Sequence, residues 1–184
     1  MKIEKLKFEG FYLIKPNVFR DKRGIFRRHL CLKTLKKKKI KIAIAQGNIS
    51  ESFTKGTLRG FHYKTKPSKE YKILSCLKGS IHHVAIDLRK NSKTYGKHFS
   101  ITLRSKDCYS LIIPPICANA FLTLEKNTLI HYYMGDYFEK SKYKGFRYND
   151  PLFNVKWPFK PKLINYRDDN YKDIIDEIYE LFPI

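Results

Sequence analysis

From Ile42 to Tyr137 the chain alternates short apolar, β-branched and aromatic runs with breaks at Gly, Pro, Asn and Asp. Tyr71–Cys76, Ile81–Leu88, His98–Leu103, Tyr109–Ile113 and Thr128–Tyr133 are such runs. Their recurrence at roughly eight to twelve residues predicts the antiparallel strands of a sandwich or barrel rather than βαβ units. Upstream, residues 8–20 are β-leaning with a turn at Pro16-Asn17, and Asp21-Lys22-Arg23-Gly24 is a turn leading into a strand over Ile25–Leu30. Cys31–Lys41 fits a short helix, centred near 32–39. Gly79-Ser80 has the composition of a hairpin turn, and Lys90–Lys93 that of a loop. The tail changes period. Tyr171, Ile174, Ile175, Ile178, Leu181 and Phe182 follow helical spacing, with Asp173, Asp176, Glu177 and Glu180 between them, which predicts an amphipathic helix over about 169–182. One mainly β domain over 1–184 with a helical finish is expected.

Composition narrows the class. At 42% hydrophobic and 15% aromatic, the chain has the material for a packed core. No apolar run approaches the roughly 18–20 residues of a membrane span, and no signal-like apolar core follows Met1, so a cytoplasmic protein is expected. Cys31, Cys76, Cys108 and Cys117 are too scattered for a disulfide framework or a zinc site and are read as reduced thiols.

A net charge of +21, from 38 Lys+Arg against 17 Asp+Glu, attracts polyanions, either nucleic acid or a small diphosphate. The one dense run, Lys36–Lys39, has no interleaved aromatics and is read as a solvated loop or helix end rather than a nucleic-acid arm.

Candidate chemistry centres on histidine. His29 and His98 sit among charges on predicted strands and are assigned to the surface, while His82 and His83, being adjacent, cannot both point inward. A cupin-type barrel would hold a metal with His-x-His and a later histidine, but Lys64 and Asn119 occupy those positions, which argues against a metal. His62 remains, in Leu58-Arg59-Gly60-Phe61-His62-Tyr63, with Lys72 downstream. A lone inward histidine is often just a hydrogen-bonded core residue. Two cations beside a neutral base are costly in a core, however, and make sense where a diphosphate or an enolate will sit.

Those residues belong to an ordered series. It runs through Phe19–Phe26, Gln46–Ser50, Leu58–His62, Lys72, Gly79–Val84, Ile86–Arg89, Ser92–Gly96, Ile113-Pro114-Pro115, Tyr132, Asn149-Asp150-Pro151, Trp157-Pro158 and Arg167-Asp168. The series resembles the nucleotide-diphospho-4-keto-sugar epimerase family, whose best-known member is dTDP-4-dehydrorhamnose 3,5-epimerase, over about residues 10–170. The resemblance implies an antiparallel cupin-like jelly roll and a carbohydrate epimerase that needs no cofactor. It implies His62 as the base that removes a proton beside the ketone, Asp168 as its carboxylate partner, Lys72 beside the enolate oxygen and Tyr132 as the acid on the opposite face. Strand alternation would turn His131 and Tyr133 away from Tyr132's side. Arg23, Phe26, Gln46, Asn48, Arg59 and Asn119 match substrate-binding positions. The resemblance further implies a homodimer whose N-terminal strands, within residues 8–30, contribute Arg23 and Phe26 to the partner's site. By its own sequence context Asp168 is equally suited to cap the tail helix together with Asp169.

Two departures bear on substrate. Asn119 stands where the family usually has a histidine, and Arg28 where it usually has an acidic residue. The asparagine is similar to epimerases of capsular heptose pathways, which favours a GDP-4-keto-heptose over the dTDP-4-keto-6-deoxy sugar of the rhamnose pathway. Three rivals remain: a barrel that binds nucleotide sugars without turnover, a nucleic-acid module resting on charge alone, and a 3,4-ketoisomerase on a similar barrel.

Overall fold

The computed structural model describes residues 1–175. The chain opens with β1 (Lys2–Lys5), β2 (Tyr12–Lys15), β3 (Val18–Asp21) and β4 (Gly24–Arg27), then α1 (Leu32–Lys37). The central strands are β5 (Gln46–Ser52), β6 (Thr57–Lys64), β7 (Lys72–Lys78), β8 (Ser80–Asp87) and β9 (His98–Arg104). They continue with β10 (Ser110–Ile113), β11 (Cys117–Thr123), β12 (Thr128–Met134), β13 (Tyr143–Gly145) and β14 (Leu163–Ile164), and α2 (Tyr166–Asp169) follows.

Two sheets face each other. The first runs β1-β2-β10-β7-β12-β5; the second runs β13-β6-β11-β8-β9, with β14 added to β6. All their pairings are antiparallel except β14 with β6. The result is the mainly β sandwich that the run spacing predicted, with the cupin-like arrangement that the resemblance implied.

Strand alternation partitions the core. On β8, Ile81 and Ala85 join Phe11, Leu74, Leu111, Phe121 and Ile130 between the sheets, whereas Val84 and Ile86 point outward to Phe61, Phe146, Phe153 and Ile174. A third cluster, Ile14, Ile73 and Ile112, is covered by Leu35 of α1 and by Ile40. Lys36–Lys39 are exposed at the end of α1, as expected of a solvated helix end. Cys76, Cys108 and Cys117 are buried thiols, Cys31 is half-buried, and none is disulfide-bonded.

Three expectations need correction. Gly79-Ser80 is not a hairpin, because β7 belongs to the first sheet and β8 to the second. Gly79 carries the chain across with φ +74°, and a Cβ there would meet Thr128 Oγ1 at 2.6 Å. His29 lies beyond β4, half-buried, with its ring 5.4 Å from that of His131; only His98 is exposed.

The third correction concerns the tail. The helical turn comes early, at Tyr166–Asp169, and residues 170–173 are not helical. The tail's apolar residues serve separately rather than as one helical face. Tyr171 packs against Gly145 and His62, while Ile174 enters the outer cluster with its N–H donating to Asp150 Oδ2 at 2.6 Å. The remainder of the predicted helix, residues 176–182, lies outside the described residues.

Candidate active site

The site grows out of an irregularity in β6. In a regular strand Arg59 and His62, three residues apart, would point to opposite faces. The β6–β11 register shifts here: Asn119 pairs with His62 but Phe121 pairs with Arg59, so three steps on β6 span two on β11. This bulge turns both side chains into one cavity. Gly60 sits inside it at φ +110°, where a Cβ would lie 2.6 Å from the Asn119 carbonyl oxygen and 2.7 Å from Ala120 Cβ. Only glycine fits there.

The cavity, of about 460 Å³, opens between the two sheets. His62 and Asn119 enter from the second sheet, Lys72, Leu74, Tyr132 and Met134 from the first. The His62 imidazole and the Tyr132 phenol therefore stand on opposite walls. On β12, Ile130 and Tyr132 face inward, while His131 and Tyr133 turn outward to pack with His29, as alternation predicted.

Behind His62 lies Asp168, with no exposed surface. Its Oδ1 is 2.8 Å from His62 Nε2, and its Oδ2 accepts the Gly60 N–H at 3.0 Å. A carboxylate at that distance calls for a donor, so Nε2 carries the proton and Nδ1 keeps the lone pair. Burial pushes the Asp168 carboxyl up, but the hydrogen bonds from His62 and Gly60 and the nearby Arg167 outweigh it and hold it below the usual carboxylate range. The helix does have a cap, but it is Asn165, whose side chain accepts from the Asp168 N–H at 2.7 Å. This leaves the Asp168 carboxylate for the histidine.

Arg59 lines the cavity and donates to the Glu51 carbonyl oxygen at 3.3 Å, and its buried Nε has no hydrogen-bond partner among the described residues. Burial pushes the Tyr132 phenol above its usual range, with the Arg59 charge opposing. Asn119 donates from Nδ2 to the His62 carbonyl oxygen at 3.3 Å. Lys64 is 2% exposed and bonded to Asp136 at 2.8 Å, to the Tyr137 carbonyl oxygen at 2.9 Å and to Glu139 at 3.4 Å. Among the described residues no group of three or more His, Cys, Asp or Glu side chains converges as metal ligands.

Other predicted residues lie elsewhere. Gln46 and Asn48 stand beside the cavity rather than in its lining. Asn48 donates to the Met134 sulfur at 3.1 Å, and Gln46 Oε1 accepts the Phe138 N–H at 2.8 Å, so both support lining residues. Arg23 and Phe26 do not reach this chain's own cavity. They sit on the β3–β4 hairpin, Phe26 being 69% exposed and Arg23 bonded, among the described residues, only to Asp21 within the hairpin.

Sequence reasoning passed over Glu70, Phe138 and Tyr143, and it met Arg167 only as part of a motif and Tyr171 only as part of the tail helix, assigning neither to the site. Arg167 approaches His62 Nε2 at 3.4 Å, and Tyr143 donates to Glu70, which also pairs with Lys72 at 3.2 Å. One signal was available for Glu70: it is the only acidic residue between Glu51 and Asp87, set among Lys64, Lys66, Lys69 and Lys72.

Known proteins resemble the chain over nearly all of it. The family model described as dTDP-4-dehydrorhamnose 3,5-epimerase matches residues 5–176. The dTDP-4-dehydrorhamnose 3,5-epimerase of Shigella flexneri is 31% identical over 180 residues, covering 97% of this chain and 99% of that protein. The crystal structure of the Sulfolobus tokodaii enzyme of the same name superposes with a TM-score of 0.85 at 32% identity, covering 95% of each chain. The Legionella pneumophila dTDP-6-deoxy-D-glucose-3,5-epimerase, solved with dTDP-4-keto-L-rhamnose, gives a TM-score of 0.91 at 27% identity, covering 98% and 96% of the two chains. Fold, matched span and relatives agree: the chain is a carbohydrate epimerase and belongs to the dTDP-4-dehydrorhamnose 3,5-epimerase family.

Proposed function

We propose that the protein inverts C3 and C5 of a dTDP-linked 4-keto-6-deoxy sugar without a cofactor. One observation carries the reading: His62, backed by Asp168, faces Tyr132 and Lys72 across a single cavity. The ketone at C4 acidifies the neighbouring C–H bonds. His62 Nδ1 takes the proton, and the C–H electron pair moves into the carbonyl to give an enolate. The resulting imidazolium is stabilised by Asp168, and the enolate oxygen by the Lys72 ammonium. Tyr132 then delivers its hydroxyl proton to the other face of the carbon as the enolate collapses back to the ketone. Exchange with water returns a proton to the phenolate and removes one from the imidazolium, so the cycle balances. Arg59 meets the diphosphate in this reading, supported by its position in the lining of the same cavity. The names of the relatives favour dTDP as the nucleotide.

A GDP-linked 4-keto-heptose is the second reading, favoured by Asn119. A side chain that gives its N–H to the His62 carbonyl oxygen cannot titrate as a histidine would. We also propose a homodimer in which the β3–β4 hairpin, with Arg23 and Phe26, completes the partner's cavity. The exposure of Phe19 (62%), Ile25 (50%) and Phe26 (69%) on a two-stranded hairpin supports this, since such apolar surface gains by burial.

The test is incubation in D₂O with dTDP- and GDP-linked 4-keto sugars, read by NMR. Deuterium entering at C3 and C5 of the dTDP sugar is the expected result. Wash-in with the GDP heptose alone would favour the second reading, and none with either would overturn both.

A further inference from the structure

Glu70 takes no part in the proton transfers above, yet its carboxylate stands behind two residues that line the same cavity. It is 5% exposed and holds a donor on each oxygen: Lys72 Nζ at 3.2 Å from Oε1, and the Tyr143 hydroxyl on Oε2. The two donors also touch each other, with Lys72 Nζ 5.3 Å from the Tyr143 ring centroid. Both line the cavity. The backbone beneath is tied down, since the Glu70 N–H donates to Ser68 Oγ at 3.1 Å, and the Gly135 N–H donates to the Tyr71 carbonyl oxygen at 2.8 Å.

A lysine ammonium ends a chain of four rotatable bonds, and one lining an open cavity would otherwise sample many positions. Stabilising an enolate depends on charge that is already in place when the electrons move. A buried carboxylate within salt-bridge distance supplies that order, and β7 begins at Lys72 itself, so the anchor sits just ahead of the strand.

Tyr143 is governed by the same group. A phenol has one proton, and here it is donated to Glu70. Burial and that hydrogen bond to a carboxylate both push the Tyr143 phenol upward. The oxygen can accept a hydrogen bond from a sugar hydroxyl but has no proton to deliver to carbon. Tyr132 differs: among the described residues its hydroxyl is not bonded to a carboxylate.

We propose that Glu70 is a positioning residue of the epimerase. It fixes the Lys72 ammonium where the enolate oxygen forms, and it commits the Tyr143 proton so that Tyr132 alone acts as acid. The inference rests on the epimerase reading above.

Two measurements test it. In protein labelled with ¹⁵N-lysine, the Lys72 ammonium, assigned by its loss in Lys72→Met, gives a slowly exchanging resonance that disappears in Glu70→Gln. In D₂O, Glu70→Gln lowers the kcat for C3 exchange at least about tenfold while KM stays within about threefold, because the loss falls on the transition state rather than on binding. In the Lys72→Met background the same substitution has less than about a twofold further effect. Tyr143→Phe, which leaves the Glu70–Lys72 pair in place, keeps the ammonium resonance, whereas Glu70→Asp, whose shorter side chain withdraws the carboxylate, weakens it and lowers kcat with KM little changed; Glu70→Asp decides the matter if Glu70→Gln does not fold. A resonance that survives in Glu70→Gln, or effects of Glu70 and Lys72 that multiply independently, would overturn the proposal. Absence of exchange in the wild type would instead refute the epimerase reading, and the ammonium resonance would still judge the Glu70 contact.

Discussion

His62 Nε2 lies 2.8 Å from Asp168 Oδ1, although 106 residues separate them in sequence. The contact orients the imidazole and, because Asp168 is wholly buried, no water competes for it. Asp168→Asn keeps the size of the side chain but removes the charge that stabilises the imidazolium. Exchange at C3 in D₂O should fall on the order of 10²- to 10⁴-fold, the usual span for an acid–base contribution. Unchanged exchange would detach Asp168 from the reaction.

Tyrosines at 132 and 143 share the cavity but should respond differently to loss of the hydroxyl. Tyr132→Phe removes the uncommitted proton, so deuterium still enters at C3 while inversion fails. Tyr143→Phe leaves inversion in place. Product stereochemistry read by NMR separates the two, and the reverse pattern would exchange their roles.

Gly60→Ala tests the bulge. A methyl group there meets the Asn119 carbonyl oxygen at 2.6 Å and Ala120 at 2.7 Å, in a backbone conformation alanine seldom adopts. Strain of this kind costs about 1–3 kcal/mol. Urea unfolding should show a loss of at least that size, together with lost exchange activity as Arg59 and His62 shift. Wild-type stability would show that the close approach is relieved easily.

His83 is wholly buried, neither ring nitrogen has a hydrogen-bond partner among the described residues, and burial pushes its pKa down to about 3. An unfolded histidine titrates near 6.5. Between those values the unfolded chain binds a proton that the folded one does not. Its contribution is therefore fully present above pH ~6.5 and is lost as pH falls, at up to about 1.4 kcal/mol per unit. His83→Gln should flatten the dependence of unfolding free energy on pH between 6.5 and 4.5. A slope equal to that of the wild type would reject this.

If the β3–β4 hairpin completes a partner's cavity, two inactive variants should rescue each other. Mixed refolding of His62→Asn with Arg23→Ala would regenerate some sites with an intact base and an intact arm. Recovered exchange in the mixture is the expected outcome, and a mixture as inactive as its two components would refute an arm shared between partners.

Much of the site was legible in the sequence because alternation is a strong rule where one strand face is buried. It placed Tyr132 inside, His131 and Tyr133 outside, and separated His82 from His83. It was less informative where long-range contacts decide. Gly79 looked like a hairpin because local composition cannot tell a reversal from a crossing between sheets. The tail looked helical because Tyr171 and Ile174 share a helical spacing, although one packs by His62 and the other by Phe153. Glu70 and Tyr143, 73 positions apart, meet only through the fold.

The bulge at Gly60 also determines how this site can change. Because it shifts the phase of β6 between Arg59 and His62, removing one residue there would make the strand regular and send one of the two side chains out of the cavity. The groups assigned to anchoring the diphosphate and to abstracting the proton would then part in one step. Length changes in this strand are thus all-or-none for the enzyme, and variation in substrate choice must come from the other walls of the cavity.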